Sequence, residues 1–215
     1  KEWKEYSRER DNSIITKLFG AVLLSEVFCT TCRYTSYTFE DALDLSLNLP
    51  MSNANSSSNE DYAASLLTCL DEFVNEEEIE GYQCENCQTK DTATKRTTIW
   101  KAPEVLAIQL KRFVYNQYGE LDTKKNRISF PLDNLNIEYF MHEDSRENRN
   151  TYQLTGVIDH YGDLNSGHYV SYVYNEELGC WLEYNDHKIC KIQDETMKRH
   201  AAGSEESYIL FYKRK

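Results

Sequence analysis

Four of the seven cysteines in this 215-residue chain form two C-x-x-C pairs, Cys29 with Cys32 and Cys84 with Cys87. Two intervening residues let both thiolates of a tight knuckle point at one ion. Two such knuckles brought together make a tetrahedral four-cysteine site, for which zinc is the best match. Four thiolates close the coordination shell, so the expected metal is structural, one ion per chain, clamping a hairpin to a distant segment. The other reading is four free or redox-active thiols, and the paired spacing favours the metal. Cys69, Cys180 and Cys190 lack this spacing and read as core or surface thiols. Paired cysteines within an odd total fit metal ligation in a reducing, intracellular compartment better than a disulfide framework.

A second constellation lies in residues 156–189, GVIDHYGDLNSGHYVSYVYNEELGCWLEYNDHKI. One β-prone run ends at His160, a Gly- and Asp-containing loop follows over 161–167, and His168 opens the next run. A turn near 175–179 returns the chain as 181–184, which ends at Asn185 and Asp186. An antiparallel return of that length brings Asn185 near His168. A histidine oriented by an Asn or Asp side chain is the base half of a nucleophile–His–Asx triad, with the Asx oxygen holding the tautomer whose other nitrogen faces a thiol or hydroxyl. By itself, a single histidine at a strand start is more often packed or solvated than catalytic. Neighbouring side chains on an extended strand point apart, so Asn185 and Asp186 cannot both face the imidazole.

The elements that must position these residues are mostly strands. β-prone runs at 21–28 and 34–39 flank the first pair and place it at a hairpin tip. Residues 44–49 alternate polar and apolar, as in a half-buried strand. Residues 51–60 are polar and low in complexity, a surface loop. Ala63, Leu66, Leu67, Leu70 and Val74 follow helical spacing, with Asn59 or Asp61 as cap. The acidic run 76–78 reads as a solvated helix end or turn. From Tyr82 onward the chain is β-rich, with strands expected at 95–100, 105–115, 127–130, 152–160, 168–174, 181–184, 188–192 and 208–212, and a short helix at 194–200. Residues 1–20 read as a helix stopped near Gly20.

Hydrophobic residues make up 40% and charged residues 28%, ordinary for a globular protein. No run approaches the about 18 apolar residues of a membrane span, and the charged first residues do not resemble a signal peptide. Lys plus Arg total 24 against 36 Asp plus Glu, a net charge of −12. That balance argues against nucleic-acid or anionic-membrane binding and suits solubility or a basic partner.

The 156–189 stretch resembles the histidine box of the ubiquitin-specific proteases, a family of papain-like cysteine proteases that remove ubiquitin. Further family marks stand in order: the two C-x-x-C pairs, VLAIQLKRF at 105–113, the Phe130–Pro131–Leu132 step, GHYVSYV at 167–173, the 181–186 stretch and YILFY at 208–212. The resemblance implies an α+β fold, a papain-like cysteine protease fragment with an antiparallel β palm, zinc-bearing β fingers and few helices. Residues 1–20 would end a helical thumb-like segment, 21–100 would be fingers with an inserted helix, and 101–215 the palm. His168 is similar to the family's general base, Asn185 falls where the orienting residue stands, and Asp186 is where some members carry an assisting carboxylate. The 161–167 loop resembles one that borders the groove for the ubiquitin tail. That resemblance makes His160, Tyr161, Gly162, Gly167 and Tyr169 candidate substrate-binding residues and suits an acidic protein, since the tail is basic. The family's Asn-x-x-x-Cys box is not found in this sequence.

The expected activity is therefore that of a deubiquitinase that cuts after the C-terminal Gly of ubiquitin, with the nucleophilic cysteine supplied by an upstream segment or another chain and this chain inactive alone. Expected partners are ubiquitin and ubiquitinated proteins, in the cytoplasm, the nucleus or both. The alternatives are an inactive ubiquitin-binding scaffold of the same fold, or a zinc-stabilised interaction domain with no ubiquitin role.

Overall fold

β-Branched and aromatic residues recur through the chain in short alternating runs, and in the computed structural model these runs pair into two main sheets. The structure describes residues 13–50, 63–115, 119, 121–146, 150–163 and 166–215. Most of the expected first helix and the whole 51–60 loop fall outside these residues. The described part of that helix is α1 (Ile14–Phe19), which starts on a Ser13 cap and ends at Gly20.

The first sheet has four antiparallel strands in the order β2-β1-β6-β5, built from β1 (Ala21–Cys29), β2 (Thr35–Ala42), β5 (Glu77–Gln83) and β6 (Lys90–Lys101). Short strands β3 (Leu45–Asn48) and β4 (Ala64–Ser65) come between β2 and β5 in the chain. The 76–78 run is not a helix end, because Glu77 and Glu78 open the edge strand β5. Glu77 lies opposite Lys95, with 3.4 Å between the charged groups. An edge strand keeps one side in water, so it tolerates this charge, and charge there discourages edge-to-edge pairing.

The second sheet has eight strands. Its path runs β15-β14-β13-β12-β16-β7-β3, with β11 added beside β12. These strands are β7 (Val105–Lys111), β11 (Leu135–Asn136), β12 (Thr151–Asp163), β13 (Ser166–Asn175), β14 (Cys180–Asn185), β15 (Lys188–Ile192) and β16 (Ser207–Arg214). Two small pairs complete the strands: β8 (Phe113–Tyr115) with β9 (Leu121–Thr123), and β10 (Ile128–Ser129) beside β4. β3, within the 21–100 region, runs parallel to β7 and so joins the second sheet rather than the first.

Helix α2 (Leu66–Val74) turns Leu66, Cys69, Leu70 and Val74 into the core beside Leu45, Leu47, Leu106 and Ile108. Its cap is Ser65, whose Oγ accepts from the Leu67 N–H at 3.2 Å, and neither Asn59 nor Asp61 lies among the described residues. Helix α3 (Asp194–Ala201) buries Met197 and Ala201; its acidic first turn and basic last turn oppose the helix dipole favourably.

The expected single run 105–115 is split at Arg112. There the chain turns and the arginine is drawn inward to 3% exposure. Its guanidinium donates to the carbonyls of Ser207 (2.7 Å), Asn126 (2.9 Å), Ser204 (3.1 Å) and Lys124 (3.2 Å). One buried fork thus joins β7, the 124–126 segment and the start of β16. Burial, partly offset by Glu206 and Asp159, holds it down to about 10, so it stays charged at neutral pH.

Candidate active site and metal centre

The two cysteine pairs sit at the tips of the β1/β2 and β5/β6 hairpins, and the first sheet brings those tips together. Each knuckle closes in the same way. The N–H of Arg33 donates to the Cys29 carbonyl and that of Gln88 to the Cys84 carbonyl, both at 2.9 Å. Arg33 and Gln88 both take left-handed backbone angles, φ 61° and 62°. Such angles cost about 1 kcal/mol or more for a residue with a side chain, so two matching instances point to a required turn.

The four sulfurs lie within 4.8 Å of one another, with Cys29 to Cys87 at 3.9 Å and Cys32 to Cys84 at 3.6 Å. A tetrahedron with metal–sulfur bonds of about 2.3 Å has sulfur–sulfur edges of about 3.8 Å, so the four cysteines fit a metal ion. The Asn86 side-chain amide and the Tyr34 backbone hold the Cys32 thiol down to about 6, and Thr89 lowers Cys87. The Cys87 N–H favours the Cys84 thiolate, but burial and the neighbouring thiols push Cys84 up to about 11. Thiols this close share protons when no cation is present to hold all four as thiolates.

Of the remaining cysteines, Cys69 and Cys180 are buried and Cys190 is exposed on β15. Cys190 stands two strands from His168 and level with Tyr172, four residues farther along β13, which makes about 16 Å by strand geometry.

The histidine constellation is assembled by three consecutive antiparallel strands. β12 pairs with β13 so that Tyr161 lies opposite His168 and His160 opposite Tyr169. β13 pairs with β14 so that Ser171 lies opposite Tyr184. Asn185 therefore falls beside Val170, on the same face as His168 and diagonal to it, within reach of two long side chains. The contact forms: His168 Nε2 and Asn185 Oδ1 are 2.7 Å apart. With Nε2–H donating to the amide oxygen, Nδ1 is left as the acceptor, and it is the nitrogen available to a thiol.

The other expected residues separate into two groups. Asp186 is not beside the imidazole. It takes a left-handed turn, φ 52°, at the end of β14, and lines a cleft with Tyr169, Tyr184 and Tyr208. His160 faces away from His168 and is 8% exposed, packed against Tyr169 at 4.6 Å and Phe113 at 5.2 Å between ring centres. Tyr169 is 55% exposed at the edge of that cluster. Gly167 has a clear reason: a β-carbon there would sit 2.2 Å from His160 Nε2 and 2.9 Å from the Tyr161 carbonyl oxygen. Gly162, at φ 112°, is equally constrained, since a β-carbon would meet the Ser166 carbonyl oxygen at 2.5 Å.

A groove of about 270 Å³ beside this loop is lined by Tyr161, Gly162 and Asp163 together with Glu205, Glu206 and Lys124. Sequence reasoning missed Arg112 and Glu206 at this place. An arginine inside the apolar VLAIQLKRF run was the available signal for the first, because a buried strand rarely holds a cation unless it has a fixed task.

Known proteins are similar to this chain in sequence and fold. The chain is 34% identical over 222 residues to "Probable ubiquitin carboxyl-terminal hydrolase R319" of Acanthamoeba polyphaga mimivirus, covering 99% of this chain and 44% of that protein. It is 34% identical to mouse "Ubiquitin carboxyl-terminal hydrolase 3", covering 94% of this chain and 39% of the relative. Among solved structures it matches the yeast SAGA deubiquitinating module with a TM-score of 0.78 and 28% identity, across all of this chain and 45% of that one. The SAGA Ubp8/Sgf11/Sus1/Sgf73 module bound to ubiquitin aldehyde matches with a TM-score of 0.77 and 27% identity, over 97% of this chain and 44% of that one. The chain thus spans less than half the length of the relatives it matches. The ubiquitin carboxyl-terminal hydrolase family model matches residues 1–212, and the chain belongs to that family.

Proposed function

We propose that this chain carries the base and orienting residue of a deubiquitinating cysteine peptidase. The observation that carries the proposal is the 2.7 Å bond from His168 Nε2 to Asn185 Oδ1, which leaves Nδ1 open on an exposed imidazole. The nucleophilic thiol comes from outside these 215 residues, on an upstream segment or a partner chain. Four of the chain's own cysteines are gathered at the finger tips, two are buried, and Cys190 is too far away.

In the proposed reaction His168 Nδ1 takes the proton of that thiol. The thiolate attacks the carbonyl of ubiquitin's last Gly, and the imidazolium protonates the leaving amine as the C–N bond breaks. Water, deprotonated by the same nitrogen, then attacks the thioester and frees the ubiquitin carboxylate and the enzyme thiol. Asn185 keeps the ring in the tautomer that serves both transfers. In the groove beside Tyr161 and Gly162, next to the Gly167 turn, Asp163, Glu205 and Glu206 offer carboxylates to a basic tail alongside the cations Arg112, Lys124 and Lys125. Asp186 is proposed to add negative charge at longer range, and His160 and Tyr169 to support the substrate-binding loop from the other face of the sheet.

The metal is proposed to be one structural zinc on Cys29, Cys32, Cys84 and Cys87, which would tie the finger hairpins together. Residues up to Gly20 are proposed to belong to a helical, thumb-like segment, with fingers and palm following. The partners in this reading are ubiquitin and ubiquitinated proteins, within the cytoplasm or nucleus.

A ubiquitin probe with a C-terminal electrophile tests the reading. The chain alone should form no adduct, and a protein that also contains the cysteine-bearing segment should form one that disappears in His168→Ala. Ubiquitin binding without any adduct in the completed protein would refute it and favour a scaffold.

A further inference from the structure

The four clustered sulfurs are unequally placed. Cys29 and Cys84 are 3% and 1% exposed, whereas Cys32 and Cys87 are half-buried and so meet solvent. Each of the half-buried sulfurs meets one polar side chain, and both side chains come from the second hairpin tip. Asn86 stands between Cys84 and Cys87 in the chain, yet its side-chain amide donates to the Cys32 sulfur of the other knuckle at 3.6 Å. The Thr89 hydroxyl lies 2.6 Å from the Cys87 sulfur. A thiolate has no proton to give, so with Cys87 ionised the hydroxyl is the donor. Among the described residues, the sulfurs of Cys29 and Cys84 bond to no side chain except another cysteine's.

The turn that presents both donors is closed on itself. The N–H of Cys84 donates to the Thr89 carbonyl at 3.0 Å, beside the bond from Gln88 back to the Cys84 carbonyl. The first knuckle is tied to the same hairpin. The Thr30 hydroxyl donates to the Thr92 carbonyl at 2.7 Å, and the Thr31 hydroxyl to Asp91 Oδ2 at 3.1 Å. Asn86 and Thr89 are thus held against the sulfurs they serve. Four thiolates around a divalent cation carry negative charge in excess, in a chain that is acidic overall. Hydrogen bonds from neighbouring groups spread that charge and orient the sulfur lone pairs toward the ion. The two sulfurs so served are the ones that a competing ligand from solvent reaches first.

We propose that Asn86 and Thr89 are positioning residues for the metal, each donating a hydrogen bond to one solvent-facing thiolate and so slowing loss of the ion. The inference rests on the reading of the four cysteines as a metal site, and its test needs no turnover.

The experiment follows zinc transfer from the zinc-loaded full chain to an excess of a chromogenic chelator. Asn86→Leu and Thr89→Val keep the side-chain volume and remove the donor. Each should still take up one zinc and release it about 10-fold faster than wild type, the lower end of what such outer partners contribute to metal affinity. Thr89→Ser keeps the hydroxyl and should stay within about twofold of wild type. With cobalt in place of zinc, Asn86→Leu and Thr89→Val should move the sulfur-to-cobalt charge-transfer band to longer wavelength, because the sulfur lone pair loses a donor. A merely structural role at the hairpin tip would leave that band in place. Release unchanged in either Asn86→Leu or Thr89→Val overturns the assignment of that residue, and so does an unmoved cobalt band. Acceleration in Thr89→Ser equal to that in Thr89→Val overturns the role of the hydroxyl. If Asn86→Leu does not fold, the Thr89 pair decides. Wild-type chain that holds neither zinc nor cobalt refutes the metal reading itself, and this inference with it.

Discussion

Replacing Asn185 by alanine removes the acceptor that holds the His168 ring while leaving the sheet intact. Asn185 is the half-buried last residue of β14, and its side chain reaches His168 across the sheet face, so the folding cost should stay within about 0.5 kcal/mol. The catalytic cost is larger. The bond is 2.7 Å long and one partner becomes charged as the thiol proton moves onto the ring. Hydrogen bonds to charged groups are worth about 1.5–3 kcal/mol, which translates to a loss of about 10- to 150-fold in rate. The loss should fall on kcat, because the imidazolium exists only after the proton transfer, whereas removal of a tail-binding residue would raise KM. The assay is release of a fluorophore from the C-terminus of ubiquitin by protein supplied with the proposed catalytic cysteine, with Asn185→Asp as the companion variant. Aspartate keeps an acceptor oxygen and adds a charge that favours the imidazolium, so it should retain most of the activity. Folded Asn185→Ala within about twofold of wild type, or a change confined to KM, would refute the reasoning.

Three further outcomes follow from the geometry. Purified protein should hold about one zinc per chain, and Cys84→Ser should lose most of it and open the finger tips to protease, read by metal analysis and limited proteolysis. Arg112→Met should destabilise the protein by about 3 kcal/mol or more in urea, because it strips four buried or half-buried carbonyls of their shared donor. Tyr212→Phe should cost about 1 kcal/mol at pH 7 through loss of its 2.8 Å bond to the Pro131 carbonyl. Burial raises the folded pKa of Tyr212 above its ordinary value. Its stabilisation is thus complete below the unfolded pKa of about 10 and is lost as pH rises past it, so the gap between wild type and Tyr212→Phe should narrow in urea titrations above pH 10.

Strand existence was legible wherever β-branched and aromatic residues alternate, as at 181–184 and 188–192, because periodicity two is a local property of the chain. The 76–78 run misled because three glutamates look like a solvated turn. Only the opposite strand, with Lys95, makes an edge strand there reasonable. The split of the 105–115 run at Arg112 was equally hidden, since it depends on carbonyls some 12 to 95 positions away in sequence. The separation of His160 from His168 could be expected from strand parity, but its cause, the imidazole lying where a Gly167 side chain would be, could not.

Cysteine spacing alone determined that the four thiols would form two knuckles able to hold a metal, because a two-residue gap sets the reach of both sulfurs. The order of β-prone runs around 156–189 likewise determined that His168 and Asn185 would be brought close. Register decided the rest. Which residue beside Asn185 turns away and which imidazole nitrogen remains open both depend on a two-residue alternation counted from hydrogen bonds between strands, and a single step of slippage would reverse each of them.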